Sequence, residues 1–222
     1  MCYTAKDSLI AYIIGTSTNI YLFLNARNND EKVLSLTFLF VSQMQLFDYI
    51  FWKNKECNKS NKLSTKFAII FNHLQPVVLF LLLKYFKYDM EKYTNIIFYL
   101  YLVIGIIYTV INWPKYNCNI EDINCCSLPL RANNNKSVIN WQWNKNKYNE
   151  IMYSLFILTL VISGLSLKKF KYEFIFSIIC SYLVSLKIPN LNRKVGRLWC
   201  YLATLFTLFF LIATRIFNYK YD

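Results

Sequence analysis

Seven long apolar runs, separated by short charged clusters, constrain this chain more than any other feature. Each run has at least 17 residues, and crossing the hydrocarbon core of a bilayer takes about 20 residues, with a range of about 17–25. The runs are residues 8–24, 33–52, 67–83, 95–111, 151–167, 172–188 and 198–217. Their length and low charge predict seven membrane-spanning segments.

Helices are the only secondary structure that fits these runs. The runs are too long for strands and lack the alternation of a membrane barrel, and a backbone in lipid must satisfy its own hydrogen bonds. We therefore predict an all-α fold, a multi-pass transmembrane bundle of seven helices. Residues 1–222 form a single membrane domain with one long loop at 112–150. The first run is expected to be a retained helix, because Lys6 is its only preceding basic residue and no small-residue cleavage site follows.

The positive charge belongs with this architecture and does not indicate nucleic-acid binding. Charged residues make up 17% of the chain, whose formal net charge is +13. Because the Lys and Arg residues lie at the ends of the apolar runs, they are placed to reach lipid phosphates. The partners predicted on this basis are membrane lipids and no nucleic acid.

The short runs favour a thin membrane. A helix of 17 residues reaches about 25 Å, which suits a bilayer of the endoplasmic-reticulum type better than a plasma membrane. Aromatic residues at the run ends, such as Trp52, Trp113 and Tyr172, are typical of the membrane interface.

Seven spans place the two termini on opposite sides of the membrane. We call the N-terminal side face A and the other side face B. Face A receives residues 1–7, 53–66, 112–150 and 187–197, and face B receives residues 25–32, 84–94, 168–171 and the C-terminal end. Face A holds more basic residues in total, whereas the short face B loops hold them at higher density, so the positive-inside rule gives conflicting answers.

The cysteines bear on the same question. Five of the 7 Cys fall on face A, namely Cys2, Cys57, Cys118, Cys125 and Cys126. If face A is lumenal or outside, Cys57 is placed to form a disulfide with the 118–126 cluster; free thiols on a cytosolic face are the alternative. The sequons at Asn58 and Asn135 also lie on face A. We therefore expect the N-terminus to be lumenal or outside. We expect no metal site, because the Cys spacings match no zinc pattern.

The long loop contains two closely spaced indoles. Trp141 and Trp143 share one face of an extended segment, or both lie in the headgroup layer. An interfacial re-entrant segment leading into the fifth helix is our expectation. A lid over an opening in the bundle is the alternative.

Polar side chains interrupt the second and third runs at similar depths. The second run carries Gln43, Gln45 and Asp48, and the third carries Asn72, His73 and Gln75 followed by Pro76. An ionisable residue inside a span is a candidate functional site, and Pro76 frees the carbonyl of Asn72 from its helical hydrogen bond. These six residues are predicted either to line a ligand-binding cavity open to face A or to clamp the helices together through interhelical hydrogen bonds.

The motifs exclude several classes of membrane protein. One His rules out sites that need several His ligands, and no Gly-x-Ser-x-Gly elbow supports a serine hydrolase. The last run lacks the Lys that a retinal pigment needs. No repeat relates runs one to three to runs five to seven, which argues against a sugar transporter built from two three-helix repeats. We predict no cofactor and no catalytic residue.

Three segments together resemble a family of membrane proteins. They are residues 43–52 followed by Cys57-Asn58 and Asn61, then Leu74-Gln75-Pro76, then Trp141-x-Trp143. They resemble an uncharacterised family of seven-helix integral membrane proteins of protists, algae and large DNA viruses. The resemblance implies the seven-helix fold and a viral or host membrane, and it implies no activity.

Three functions are considered from these observations. The first is transport or sensing of a small polar ligand or an ion through a pocket between the second and third helices. The alternative is a structural or interaction protein of a viral or host membrane without catalytic activity. An intramembrane enzyme using Asp48 and His73 as acid and base is the least favoured function.

Overall fold

The computed structural model describes residues 4–116, 125–131, 137–187 and 195–217. Helices dominate this part of the chain. They are α1 (Ala5–Leu24), α2 (Asn29–Lys53), α3 (Lys59–Tyr85), α4 (Lys92–Asn112), α5 (Asn149–Gly164), α6 (Lys171–Lys187) and α7 (Val195–Arg215). Each of the seven apolar runs coincides with one helix, so the predicted helical fold is confirmed at this level.

Polar caps extend the helices beyond the apolar runs. Asn28 accepts a hydrogen bond from the Glu31 N–H at 2.9 Å, and Asn58 accepts one from the Asn61 N–H at 2.9 Å. A side-chain oxygen at the N-cap satisfies one of the free N–H groups of the first turn. As a result, α2 and α3 reach 25 and 27 residues, which is about 37–40 Å.

The second helix, α2, lies at the centre of the bundle. It packs against α1, α3 and α7, and its Val33, Phe38 and Met44 are no more than 2% exposed. In contrast, α4 exposes large apolar side chains along its whole length, including Ile96, Val103 and Val110. Because much of α2 is enclosed by protein, its buried polar residues face other parts of the protein.

Three helices of the described residues are long and apolar enough to cross a membrane: α2, α3 and α4 with the 3₁₀ turn that follows it. The helix α5 and the second half of α7 are apolar but shorter. These helices support association with a membrane.

The long loop contains a two-stranded antiparallel hairpin of β1 (Leu128–Arg131) and β2 (Ser137–Asn140), with Leu128 opposite Asn140. Directly after β2, the rings of Trp141 and Trp143 stack with centroids 4.8 Å apart, and both side chains are 0% exposed. We call these two residues the indole plug. Both side chains are enclosed by the protein and not exposed on its outer surface, and the expectation that this segment lies at the depth of the headgroup layer stays a prediction.

Candidate functional site

The indole plug covers Asp48. The indole Nε1 of Trp141 donates a hydrogen bond to the Asp48 Oδ1 at 2.7 Å, and Asp48 is only 4% exposed. A buried carboxylate needs hydrogen-bond donors, because its charge is otherwise costly in a medium of low dielectric constant. This contact therefore ties the middle of the chain to the central helix.

The second indole reaches the third helix through a tyrosine. The Tyr153 hydroxyl accepts hydrogen bonds from the Trp143 Nε1 at 3.1 Å and from the Asn72 Nδ2 at 3.0 Å. Asp48 is thus bonded directly to Trp141, and Asn72 is linked to Trp143 through the Tyr153 hydroxyl. The stacking of the two indoles connects these hydrogen bonds, and the equal depth of Asp48 and Asn72 in the membrane stays a prediction.

The other predicted polar residues take different positions. Gln45 and Gln75 are completely buried in α2 and α3. Gln43 is half-buried, and its Nε2 donates to the carbonyl of Leu39 in its own helix at 3.0 Å.

Residues 125–127 of the long loop are fastened to the N-terminal end of α3. A disulfide joins Cys57 to Cys126, and Cys125 is disulfide-bonded as well. Next to it, the Asn61 side chain bonds both to the backbone carbonyl of Ser127 at 2.9 Å and to its N–H at 3.1 Å. Of the residues singled out above, Cys2, Cys118 and Asn135 lie outside the described residues.

His73 belongs to a different environment from Asp48. Its ring lies against the rings of Tyr108 and Tyr153, with centroids 5.4 and 5.8 Å away. Both ring nitrogens are buried and have no hydrogen-bond partner. The Tyr101 hydroxyl donates to the backbone carbonyl of His73 at 2.7 Å, next to the carbonyl that Pro76 leaves free. No described contact joins His73 to Asp48, which leaves the acid–base pair without support.

A groove separates α3 from α4 beside His73. The two helices meet where Phe80 stacks on Phe98 with centroids 3.6 Å apart. Elsewhere both of them pack against α5. The space between them is a cavity of about 320 Å³. Its walls are apolar except at a few positions, and they include Lys66, Ile69, Ile70, His73, Leu74, Val77, Tyr101, Leu102, Gly105, Ile106, Thr109, Val110, Trp113 and Met152.

The opposite end of the bundle is closed by Asp30. This carboxylate is 3% exposed and accepts hydrogen bonds from the backbone N–H groups of Lys169 at 2.7 Å, Phe170 at 3.0 Å and Lys168 at 3.3 Å. The Tyr88 hydroxyl also donates to it. Burial, followed by the hydrogen bond to Asp30, raises the pKa of Tyr88 far above its usual value. The arrangement joins α2 to the α3–α4 and α5–α6 loops.

Its neighbour Glu31 forms an ion pair with the last helix. Both carboxylate oxygens accept from Arg215, each at 2.9 Å, and Glu31 is 0% exposed. The Arg27 N–H donates to the same carboxylate at 2.7 Å. In the sequence, Asp30 and Glu31 fall in the predicted loop at residues 25–32. The available signal was two adjacent acidic residues in the first turn after the Asn28 cap.

No group of His, Cys, Asp and Glu that can hold a metal ion occurs in residues 4–116, 125–131, 137–187 and 195–217. Comparison with protein families, curated proteins and solved structures finds no match for this chain. The case for a function therefore rests on the geometry of the groove and of the plug.

Proposed function

We propose that the protein is an integral membrane protein in which all seven helices cross the bilayer. The support comes from the outer surface, where large apolar side chains are exposed on every helix except the central α2. Examples are Ile13 on α1, Phe67 on α3 and Phe176 on α6, which are 50–69% exposed. Continuous apolar surface of this kind is stable only in contact with lipid or another protein.

The proposal also specifies that the membrane is thin and on which side of it the N-terminus lies. The helices α5 and α6 have 16 and 17 residues, which is about 24–26 Å and suits a thin bilayer. The Cys57–Cys126 disulfide favours an oxidising compartment on face A. The N-terminus is accordingly lumenal or outside.

Within this membrane domain, the protein binds a small ligand that enters from the bilayer, as part of sensing or transport. The observation that carries this function is the cavity of about 320 Å³ between α3 and α4, where the buried ring nitrogens of His73 lack partners. We assign the ligand to this groove, and we assign to Asp48 and Asn72 the role of a clamp. The hydrogen bond of Asp48 to Trp141 and that of Asn72 to Tyr153 support this structural role.

Filling the groove tests the ligand-binding function. An ideal Cβ at Gly105 lies 3.3 Å from the Met152 Cε, so the Gly105→Phe side chain must occupy the groove. Ile107→Phe is the matched control, because Ile107 lies on α4, is 52% exposed and is not part of the groove wall. Each protein is purified in mild detergent, and the lipids that remain bound are extracted and identified by mass spectrometry.

We expect one lipid class to be present with the wild type and with Ile107→Phe, and to be depleted with Gly105→Phe. Thermal unfolding of all three proteins shows whether they are folded. If the bound lipids are the same in all three, the proposed ligand-binding function is refuted. The structural or interaction protein then becomes the better description.

A further inference from the structure

The groove between α3 and α4 has two polar positions separated by apolar wall. Lys66 and His73 both line it, and they are seven residues apart on α3, which places them on one side of the helix, about 10 Å apart along its axis. Ile69 and Ile70 lie between them on the same wall. A ligand that fills the groove therefore meets a cation near face A, then apolar surface, then an imidazole at mid-depth.

Lys66 is suited to an anionic headgroup. In the described part of the chain no carboxylate lies within ion-pair distance of its ammonium. Its long aliphatic stem can lie along the groove while the charge stays at the membrane interface. A carboxylate at this depth is both neutralised by Lys66 and accessible to water.

His73 is suited to a hydroxyl. A neutral imidazole has one donor and one acceptor nitrogen, and both nitrogens of His73 are buried without a partner. Because both nitrogens are covered by protein in this structure, the imidazole must turn toward the groove to bind a ligand. A hydroxyl donates one hydrogen bond and accepts another, so it can then satisfy either nitrogen without bringing a charge into the bilayer. An unsubstituted alkyl chain leaves both nitrogens unsatisfied.

The dimensions of the groove favour a single chain. The wall formed by α4 and the 3₁₀ turn after it runs from Tyr101 to Trp113, which is about 18 Å along the helix. A volume of about 320 Å³ over that length is narrow, and fits one extended acyl chain better than a fused ring system.

We propose that the groove binds a long-chain carboxylate with a hydroxyl group near the middle of its chain. The carboxylate pairs with Lys66, and the hydroxyl forms a hydrogen bond with His73. This inference rests on the proposed ligand-binding function and names the chemical class of the ligand.

The test uses three probes on the full-length protein purified in detergent: radiolabelled hydroxystearate with a mid-chain hydroxyl, unlabelled stearate, and the methyl ester of the hydroxystearate. We expect the hydroxystearate to bind about tenfold more tightly than either competitor, because each competitor lacks one polar contact. His73→Phe should abolish the preference for the hydroxyl and keep the preference for the carboxylate. Lys66→Gln should do the reverse.

Two further variants control for folding and for charge. His73→Gln retains a donor and an acceptor and should restore part of the hydroxyl preference. Lys59→Gln removes an exposed cation from the first turn of the same helix and should leave all three affinities unchanged.

Equal affinities of the wild type for the three probes overturn the inference, as does a hydroxyl preference that survives in His73→Phe. If this happens while Gly105→Phe still depletes a bound lipid, the ligand-binding function stands and only the ligand class is wrong. If Gly105→Phe also has no effect, both proposals fail.

Discussion

Asp48 and Trp141 are 93 residues apart in the chain, and the indole of one donates a hydrogen bond of 2.7 Å to the carboxylate of the other. The contact connects the central helix to the segment after the β-hairpin. Since both side chains are almost completely buried, water does not replace the donor when the indole is removed.

Trp141→Phe should therefore destabilise the protein. The phenyl ring keeps much of the apolar contact but removes the donor to a charged group, an effect of about 1.5–3 kcal/mol. Thermal unfolding in detergent measures the change. In a double-mutant cycle with Asp48→Asn, the two effects should be less than additive. Additive effects would show that the hydrogen bond contributes little.

The Cys57–Cys126 disulfide should stabilise the fold by restricting the unfolded chain. It closes a loop across 69 residues, for which the chain-entropy account gives about 4 kcal/mol. The Cys57→Ser, Cys126→Ser double variant should unfold at a lower temperature, and a reductant should shift its unfolding temperature less than that of the wild type, because only the disulfide of Cys125 remains to be cleaved. Cys180→Ser is the control, because Cys180 is a free, half-buried thiol and its loss should change little.

The pair of Glu31 and Arg215 should be sensitive to the loss of either member. Glu31 is 0% and Arg215 13% exposed, and removing one partner of a buried pair costs about 3–5 kcal/mol. Glu31→Gln should cause a large drop in thermal stability. Arg215→Lys should cause a smaller drop, because lysine keeps the positive charge but cannot form the bidentate pair. Lys92→Gln, at an exposed position on α4, should be neutral. A comparably small effect for Glu31→Gln would contradict the assigned role.

Gly164 should tolerate no side chain. An ideal Cβ there lies 2.5 Å from the Phe174 Cδ1, and Phe174 is 0% exposed. Gly164→Ala should destabilise the contact between α5 and α6 by about 1–3 kcal/mol. Gly105→Ala makes a suitable comparison, because its Cβ meets only the flexible end of Met152 at 3.3 Å and a mid-helix Ala is favoured over Gly. Equal unfolding temperatures for the two variants would argue against the close approach at Gly164.

The helices could be predicted from the sequence because their signal is local. Long apolar runs with few charges specify where a helix forms, whereas the equal depth of Asp48 and Asn72 stays a prediction. The outer limits of α2 and α3 were missed because their first turns are polar and depend on the caps Asn28 and Asn58. The seven crossings of the membrane remain a proposal.

The groove was missed for a geometric reason. Consecutive residues on a helix point about 100° apart, so Asn72 and His73 lie on different sides of α3, although both contact Tyr153. Asn72 is bonded to Tyr153, whereas His73 lines the space beside α4. Which residue faces which helix depends on the order of packing, and α4 packs more extensively on α5 than on α3. No local pattern in the sequence specifies that order.

The indole plug also has a consequence for how the protein is made in the cell. In the seven-span arrangement proposed above, the first four helices leave the ribosome before residues 141–153, so Asp48 and Asn72 are inserted while their partners Trp141 and Tyr153 are still being synthesised. These hydrogen bonds form only when the segment after the hairpin and α5 follow. Until then the nascent protein is an incomplete bundle in which Asp48 and Asn72 lack these two partners. Its maturation is completed when the long loop packs against α2 and the Cys57–Cys126 disulfide forms.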